Sequence, residues 1–431
     1  MNNKRNPVYL GDVVTHKKGF AFKSEKFETA GVPVVKVTNF SDSSVSLSEL
    51  VYVSASHAEE NKKFKLKSGD IVIQTVGSWP NNPASVVGKV VMIPGELDQA
   101  LLNQNAVVLY PTKDLEKKYL FYLLKDRSFK GYIINTAQGA ANQASITLDS
   151  IFRFQFFERK LDTQRKVAAI LTAYDDLIEV NKRRIALLEK MAEELYREWF
   201  VRLRFPGYQN TRFVKGVPEG WTTKRLPELS EITYGFPFQS QRFNNDGVGK
   251  PIVRIRNIPS SSTSDYTDEP AADKYLVNTG DLLVGMDGEF HINHWYGTQA
   301  YLVQRTCRIR PKIPEFGGYL ALAIRSPIKH LEGILASSGA TVGHLGAKHL
   351  NAIEILVPPE NMREHLEYLN TLFEQKLALH LASRNLAKTR DLLLPRLISG
   401  KLSVEDLDIQ FPPSMQEGPV EQESPPEARH G

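Results

Sequence analysis

The chain has 431 residues, 42% of them hydrophobic and 24% charged, and its formal net charge is +5. At roughly 100–200 residues per domain, this length predicts between two and four domains. The single cysteine excludes a disulfide framework and any multi-cysteine metal site. No apolar run approaches the roughly 18–20 residues of a membrane span, and no apolar leader follows the first residues, so we expect a cytoplasmic protein that does not enter a membrane.

Several segments occur twice in the same order, roughly 200 residues apart. The matching pairs are Gly19-Phe20-Ala21-Phe22-Lys23-Ser24 with Gly235-Phe236-Pro237-Phe238-Gln239-Ser240, Ser68–Ile73 with Thr279–Val284, Tyr119-Leu120 with Tyr319-Leu320, and Gly139-Ala140 with Gly339-Ala340. We infer a tandem duplication. A period this long predicts two similar domains, because solenoid and propeller units are much shorter.

Each copy has the pattern of a β-rich domain. In each, a β-branched run predicts a strand, a Gly-Asp turn leads into a second apolar strand, a polar loop containing glycine follows, and a short helix comes later. In the first copy these elements are Val32–Val37, Ile71–Ile73, Gln74–Trp79 and Leu115–Asp126. In the second copy they are Ile252–Ile258, Leu282–Val284, Gly285–Phe290 and Gly318–Arg325.

A long amphipathic helix follows each copy. The first has heptad positions at Val167, Tyr174, Asn181, Leu188 and Leu195, and at Leu171, Ile178, Ile185, Ala192 and Trp199. Heptads of this kind are typical of a coiled coil, and Asn181 on the seam is a device that fixes register. The second helix, Leu366 to Leu394, has leucines seven residues apart, and we expect Pro395 to stop or kink it and Gly400 to mark the next turn.

These elements predict an α+β chain of two tandem β-rich domains separated by two long helices that form an antiparallel coiled coil. A helix of about 40 residues gives a spacer of roughly 60 Å. The predicted boundaries are 1–158 for the first β-rich domain, 159–204 for the first helix, 205–358 for the second domain, 359–405 for the second helix and its turn, and 406–431 for a disordered tail rich in proline and glutamate.

No catalytic motif stands out in the sequence. Phosphate loops, dinucleotide-binding glycine motifs and nucleophile elbows are all absent. His291 and His294 lack the cysteines or the His-Glu-x-x-His pattern of a metal site, so we assign no metal. Asp287 and Glu289 lie in a glycine loop, where they either shape the turn or accept hydrogen bonds from base amino groups. We therefore predict a protein that is not an enzyme and holds no cofactor.

Two similar domains on a rigid spacer suit recognition of two separated DNA segments. Lysine and arginine would contact phosphates, and polar loop side chains would read base edges. The residues expected to bind DNA are Lys36, Lys65, Gln74, Thr75, Ser78, Trp79, Gln138, Asn142, Arg254, Arg256, Asp287, Glu289, Ser338 and Thr341. They centre on the loops Gln74–Trp79 and Gly285–Phe290 and on the later segments Gln138–Gln143 and Ser338–His344.

Over about residues 8–405 the chain resembles the specificity subunit of type I restriction–modification systems. The resemblance rests on the doubled order of the motifs, on Gln164-Arg165-Lys166-Val167-Ala168-Ala169-Ile170-Leu171 at the first helix opening, and on the closing run Thr389–Leu402. It implies two target recognition domains, each reading one half of a bipartite asymmetric site in double-stranded DNA. It also implies that the helices dock a pair of DNA adenine methyltransferase subunits, and that separate motor–nuclease subunits cleave DNA.

Two alternatives stay open at this stage. A self-contained methyltransferase or nuclease would need catalytic motifs that the sequence lacks. A coiled-coil scaffold that binds only proteins would show no DNA affinity, so a DNA affinity with steep salt dependence would count against it.

Overall fold

The computed structural model describes residues 7–79, 86–140, 143–337 and 343–416. It divides into two compact units, the first formed by Met1–Leu177 with Leu386–Gly431 and the second by Ile178–Asn385. Each unit contains one β-rich domain and a segment of each of two long helices. Across the described ranges, no helix is long and apolar enough to cross a membrane.

A four-stranded antiparallel sheet forms the centre of the first unit. Its strands, in spatial order, are Val14–Lys18, Ala106–Pro111, Ile71–Gln74 and Val90–Met92. Alternate residues of the central strands enter different cores: Ile71 and Ile73 pack with the helices of the domain, whereas Val72 packs with a smaller cluster on the opposite face. Burial on both faces explains the unbroken apolar run.

Shorter elements complete the first unit. Its other strands are Pro7–Tyr9, Val32–Val35, Val51–Val53, Val76–Gly77, Leu101–Leu102, Gln138–Ala140, Gln143–Ser145 and Gln155–Phe157. Its shorter α-helices are Leu10–Val13, Ala55–Glu60, Lys117–Lys125, Arg127–Thr136, Leu148–Phe152 and Pro413–Gln416.

The second unit repeats this architecture. Its central sheet has the order Ser230–Tyr234, Thr306–Pro311, Leu282–Gly285 and Ile292–His294, again antiparallel. Its other strands are Phe213–Val214, Val217–Pro218, Thr222–Arg225, Phe243–Asn244, Lys250–Val253, Tyr266–Thr267, Leu276–Val277, Ala300–Leu302 and Glu354–Val357. Its shorter α-helices are Leu226–Leu229, Gly317–Ala323, Arg325–Ser337 and Ala347–Asn351.

A parallel strand pair identifies the duplication at the level of register. In the first unit Val35 lies opposite Leu102, and in the second Val253 lies opposite Leu302; each belongs to a parallel strand pair, whereas the other strand pairs of the described residues are antiparallel. A second shared feature is a two-stranded ribbon that joins the start of each domain to its end. The duplication predicted from the sequence is therefore confirmed.

The two long helices are Leu161–Tyr196, extended by the π-helical turn Arg197–Val201, and Arg363–Ser399. In the first unit the Asp175 carboxylate pairs with Arg390. In the second unit Glu189 Oε1 lies 2.7 Å from Lys376 Nζ, and the Trp199 and His365 rings are 5.0 Å apart. Because Trp199 follows Glu189 whereas His365 precedes Lys376, the segments run antiparallel.

The predicted seam is buried. Its most buried members are Val167, Leu171, Asn181, Ile185 and Ala192, each exposed by less than a tenth. Together with the two β-rich domains, this packing confirms the expected α+β fold with two long antiparallel helices.

The Gln164 side chain joins the start of the first long helix to its domain. Its side chain is 1% exposed. The Nε2 group donates to the carbonyl oxygens of Asp114 and Arg159, and Oε1 accepts from the Glu116 backbone N–H at 2.8 Å. In the second unit Asn370 Oδ1 accepts from the Gly318 N–H at 3.2 Å in a similar way. One side-chain amide on each long helix thus contacts the domain, buried at Gln164 and partly exposed at Asn370.

Two predicted strands were too long. The strands end at Val35 and Val253, and one-turn 3₁₀ helices follow at Val37–Asn39 and Ile255–Asn257. The reason is local, because in each repeat the asparagine side chain at the end of this turn accepts a backbone N–H three residues earlier at 2.9 Å. Arg254 and Arg256 accordingly lie beyond the strand, not on it.

The end of the second long helix also differs from the prediction. The helix continues through Pro395 and ends at Ser399, where Gly400 follows with φ +75°. Burial of Leu394 and Leu397 in the first core offsets the hydrogen bond that proline cannot donate. Beyond it, Ile409 and Met415 pack against the same core, so residues 406–416 are folded, while residues 417–431 of the predicted tail lie outside the described residues.

Candidate nucleic-acid interface

The two segments chosen in the first repeat lie side by side. The hairpin of Gln138–Ala140 and Gln143–Ser145 adds to Val76–Gly77 as a three-stranded sheet, with Ala144 opposite Gly77 and Ser145 opposite Val76. One step further on, the Ile146 N–H donates to the carbonyl oxygen of Thr75 at 2.9 Å. A loop that leaves the central sheet is thereby joined to a loop roughly 65 residues later.

The second repeat joins its two loops in the same register. Asp287 is bridged to His344, and the Gly288 N–H donates to the Gly343 carbonyl at 3.2 Å. The Leu345 N–H donates to the Met286 carbonyl at 2.8 Å, as Ile146 does to Thr75 in the first repeat. Both segments contain residues predicted to bind DNA, and in both repeats the described parts of the segments pair with each other.

A hairpin tip that the sequence analysis did not single out completes each group. The Thr75 N–H donates to the Asn105 carbonyl at 2.7 Å, and the Met286 N–H donates to the Arg305 carbonyl at 2.8 Å. Asn105 and Arg305 both have positive φ, +70° and +72°. We call residues 74–79, 103–106, 138–140 and 143–146 the first loop cluster, and residues 285–290, 303–306 and 343–345 the second loop cluster.

The glycine of the Gly-Phe-x-Phe motif holds each hairpin tip in place. The Gly19 N–H donates to the Ala106 carbonyl and the Gly235 N–H to the Thr306 carbonyl, both at 3.0 Å. A Cβ atom on Gly19 would lie 1.8 Å from the Asn103 carbonyl oxygen, and one on Gly235 would lie 2.1 Å from that of Val303. No side chain larger than hydrogen fits there, which explains the motif in physical terms.

In the first loop cluster, several predicted DNA-binding residues have structural contacts. Gln74 is fully buried and its Nε2 donates to the Val76 carbonyl at 2.9 Å, while Ser78 is 7% exposed. Trp79 packs against the first core and Thr75 is half-buried. Gln138 is exposed on the added hairpin. Asn142 lies outside the described residues.

In the second loop cluster, the Asp287 carboxylate is held from two sides. Arg305 Nη1 pairs with Oδ2, and His344 Nδ1 lies 2.5 Å from Oδ1. Burial acts to raise the pKa of Asp287, but the hydrogen bonds and charges of His344 and Arg305 outweigh it and hold the pKa below its ordinary value. Asp287 therefore remains an anion and orders the cluster.

The other acidic residue of this loop is differently placed. The Glu289 side chain is 83% exposed, with Oε2 3.2 Å from Nε2 of His291. Ser338 and Thr341 lie outside the described residues. Of the four predicted residues in these loops, the structure therefore describes two: Asp287, whose carboxylate is paired, and Glu289, whose side chain is exposed.

Three of the predicted basic residues lie at the 3₁₀ turns: Lys36 and Arg254 directly precede a turn, and Arg256 lies within the second turn. Lys36 Nζ lies 5.7 Å from the centre of the Phe27 ring, and Arg254 lies in the same way 5.6 Å from that of Phe243. Arg256 makes two hydrogen bonds to the Asp265 carboxylate, at 2.6 and 2.7 Å, and Lys65 Nζ lies 3.3 Å from Glu59 Oε2.

The turn that carries the two arginines borders the second loop cluster. Ile255, between Arg254 and Arg256, has its Cγ2 atom 3.0 Å from where a Cβ on Gly285 would be. Arg254 and Arg256, the chain neighbours of Ile255, therefore lie near this loop, with the Arg256 charge paired to Asp265.

The chain contains a duplicated β-rich domain with one loop cluster in each copy, and two long antiparallel helices. These features define a class of proteins with two similar candidate binding surfaces. Comparison with known proteins identifies the class. The family described as "Type I restriction modification DNA specificity domain" matches residues 3–190 and 218–388. The chain belongs to this family.

Individual relatives agree along most of the chain. The putative type I restriction enzyme MjaX specificity subunit of Methanocaldococcus jannaschii is 24% identical over 408 residues, which is 90% of this chain and 91% of the relative. The MjaIX specificity subunit of the same organism is also 24% identical, over 71% of this chain and 73% of its own length. The crystal structure of the S subunit of a type I restriction–modification system from M. genitalium has the same fold, with a TM-score of 0.53 and 16% identity over 92% of this chain and 97% of that one.

Proposed function

We propose that the chain selects the DNA sequence for a type I restriction–modification complex, each β-rich domain reading one half of a bipartite target. The observation that carries the proposal is the pair of loop clusters. Their backbone contacts are the same in both repeats, whereas the side chains at matching positions differ: Val76 and Asp287, Ser145 and His344, Asn105 and Arg305.

Two domains that recognise different base sequences can share one backbone framework if the side chains at the contact positions differ. Base identity is read by side-chain groups at the groove edges, so a change of target needs a change of side chain and not of backbone. The recognition domains in this proposal are residues 1–158 and 205–358, and the target is asymmetric because the two clusters are chemically different. Lys36, Lys65, Arg254 and Arg256 supply contacts to the phosphates.

The long helices supply the contact with partner subunits. The first helix carries two apolar stripes. The seam, which contains Ile185 and Ala192, is buried, whereas Val180, Leu187 and Met191 on a separate face of the helix are 49%, 61% and 45% exposed. We propose that this second stripe docks DNA adenine methyltransferase subunits, since an apolar stripe seven and four residues apart matches another helix.

The chain itself performs no chemistry in this proposal. The methyltransferase subunits transfer the methyl group, and motor–nuclease subunits join the same complex to cleave DNA. A bipartite target offers one position to modify in each half, which is why we propose a pair of methyltransferase subunits. The chain needs no cofactor for recognition, and because its ligand is DNA we place it in the cytoplasm.

Sequencing that detects methylated adenine tests the proposal. Cells that carry this gene and its neighbouring methyltransferase gene are compared with cells that lack this gene alone. We expect methylation at one split motif, with unread bases between its halves, and loss of that methylation on deletion. Methylation that persists without this gene, or purified chain that transfers methyl groups unaided, would contradict the proposal. Absence of methylation in both strains is resolved by the DNA affinity of the reconstituted complex: no sequence preference would reject a reading role.

A further inference from the structure

Arg305 is the charged residue of the hairpin tip in the second loop cluster, residues 303–306. It lies between the strands Ala300–Leu302 and Thr306–Pro311, with φ +72° and a side chain that is 64% exposed. Few residues other than glycine and asparagine adopt this backbone region readily. A long charged side chain in such a place extends from the tip away from the sheet that supports it.

Asp287 fixes the orientation of this guanidinium. The carboxylate, whose side chain is only 9% exposed, pairs with Nη1 of Arg305 and receives His344 on its other oxygen. Within the residues that the structure describes, the Nε–Nη2 edge of Arg305 has no hydrogen-bond partner. The Nε–H and Nη2–H groups of Arg305 are therefore two parallel donors without a partner among the described residues. Because the ion pair already restricts the side chain, less conformational entropy is lost when these donors bind a ligand.

We propose that Arg305 reads a guanine in the half-site recognised by the second repeat, with Asp287 as its positioning residue. This inference rests on the proposed function. A guanine presents O6 and N7 as neighbouring acceptors in the major groove, and the two parallel donors of an arginine match them. A phosphate could also accept these donors, but a phosphate contact carries no sequence information.

The first repeat provides an internal comparison. Asn105 occupies the same hairpin position, with φ +70°, and its carbonyl makes the same backbone contact. The position matching Asp287 is Val76, which offers no carboxylate to a basic side chain. The second repeat therefore carries an arginine held by a carboxylate where the first repeat carries Asn105. We expect the two halves of the target to differ at the base pair that this arginine contacts.

The test is a map of methylated motifs for complexes with Arg305→Asn, Asp287→Asn and the control Arg242→Asn. Asparagine tolerates positive φ well, so R305N keeps the hairpin. Arg242 is another exposed arginine of the second repeat paired with an aspartate, Asp268, at 2.8 Å. We expect R305N to relax one guanine position of one half-site, lowering discrimination there by about 5-fold to 150-fold, since a good bidentate contact contributes about 1–3 kcal/mol.

The other variants sharpen the result. D287N should relax the same position less strongly, because the arginine remains but is no longer held. R242N should leave the motif unchanged. Asn105→Arg should alter the other half-site only, which assigns each half to its repeat. Circular dichroism and complex assembly check that every variant is folded.

Three outcomes would overturn the inference: an unchanged motif in R305N, a half-site without a G·C pair at the affected end, or an equal loss at all sites, which is the signature of a phosphate contact. Each leaves the wild-type motif intact and so does not affect the proposed function. Failure of the proposed function looks different, because the wild-type chain then directs no bipartite motif at all.

Discussion

Replacement of Glu189 by alanine removes the partner of a buried lysine in the second unit. The Lys376 side chain is 4% exposed, and its Nζ lies 2.7 Å from Glu189 Oε1 and above the rings of Phe373 and Tyr296. A buried ammonium without a counter-charge is costly. We therefore expect E189A to lower the free energy of unfolding of the second unit.

Removing one partner of a fully buried ion pair typically costs about 3–5 kcal/mol. Glu189 is 45% exposed, so water weakens its attraction to Lys376. We therefore expect E189A to lower the free energy of unfolding by about 1–3 kcal/mol. Lys376→Met keeps the apolar stem without the charge and should cost less than about 1 kcal/mol. Once Lys376 is methionine, E189A should add almost nothing.

Urea unfolding followed by tryptophan fluorescence measures these differences. Three of the four tryptophans, Trp199, Trp221 and Trp295, belong to the second unit. The matched control is Glu193→Ala, one turn further along the helix, whose partner Arg325 is 39% exposed and whose loss should cost less than about 1 kcal/mol. Equal losses for E189A and E193A, or a K376M variant as unstable as E189A, would refute the reasoning.

Three further predictions follow from the same structure. Gly235→Ala places a Cβ against the Val303 carbonyl oxygen and should destabilise the second unit by roughly 1–3 kcal/mol and weaken reading of one half-site, measured by urea unfolding and methylation mapping. Leu187→Glu should leave unfolding unchanged but abolish co-purification of the methyltransferase, whereas its neighbour Leu188→Glu, which faces the second core, should lower stability first; equal effects would contradict the two-stripe interpretation. Burial, with the charges of Lys376 and Arg325, lowers the pKa of His294 to about 3, so the unfolded chain binds a proton below about pH 6.5 that the folded chain does not. Stability present above that pH is lost as the pH falls towards 3, by up to about 1.36 kcal/mol per pH unit; H294Q should flatten this slope in urea unfolding between pH 7 and 4, and an unchanged slope would exclude His294 as its source.

The sequence predicted the features that depend on periodicity and order. A seven-residue spacing of apolar positions was enough to locate both long helices and the buried face that carries Ile185 and Ala192. The order of the repeated motifs was enough to predict two β-rich domains. Each strand-following loop and the later glycine-containing segment were selected from the sequence as groove-facing, but their pairing was not predicted.

The sequence could not reveal contacts between side chains that are distant along the chain. Asp287 was selected as a possible base contact, but its partners Arg305 and His344 are 18 and 57 residues away, and nothing local indicates them. The hairpin tips were missed because asparagine and arginine at positive φ carry no distinctive signal outside an Asn-Gly turn. The 3₁₀ turns were missed because a single asparagine side chain, as at Asn257, ends a strand whose β-branched pattern continues.

The framework of each repeat depends mainly on the backbone. Asp70 and Asp281 accept backbone N–H groups three residues earlier, from Lys67 at 3.0 Å and Asn278 at 2.7 Å, although their other partners differ between the repeats. Contacts of this kind tolerate almost any side chain on the donor residue. Replacement of Arg305 by asparagine, which tolerates the positive φ, should therefore change the base that is read with a smaller loss of stability than Gly235→Ala, which disturbs the backbone framework. This separation lets one fold, used twice, present two different halves of a target without any need for the domains to refold.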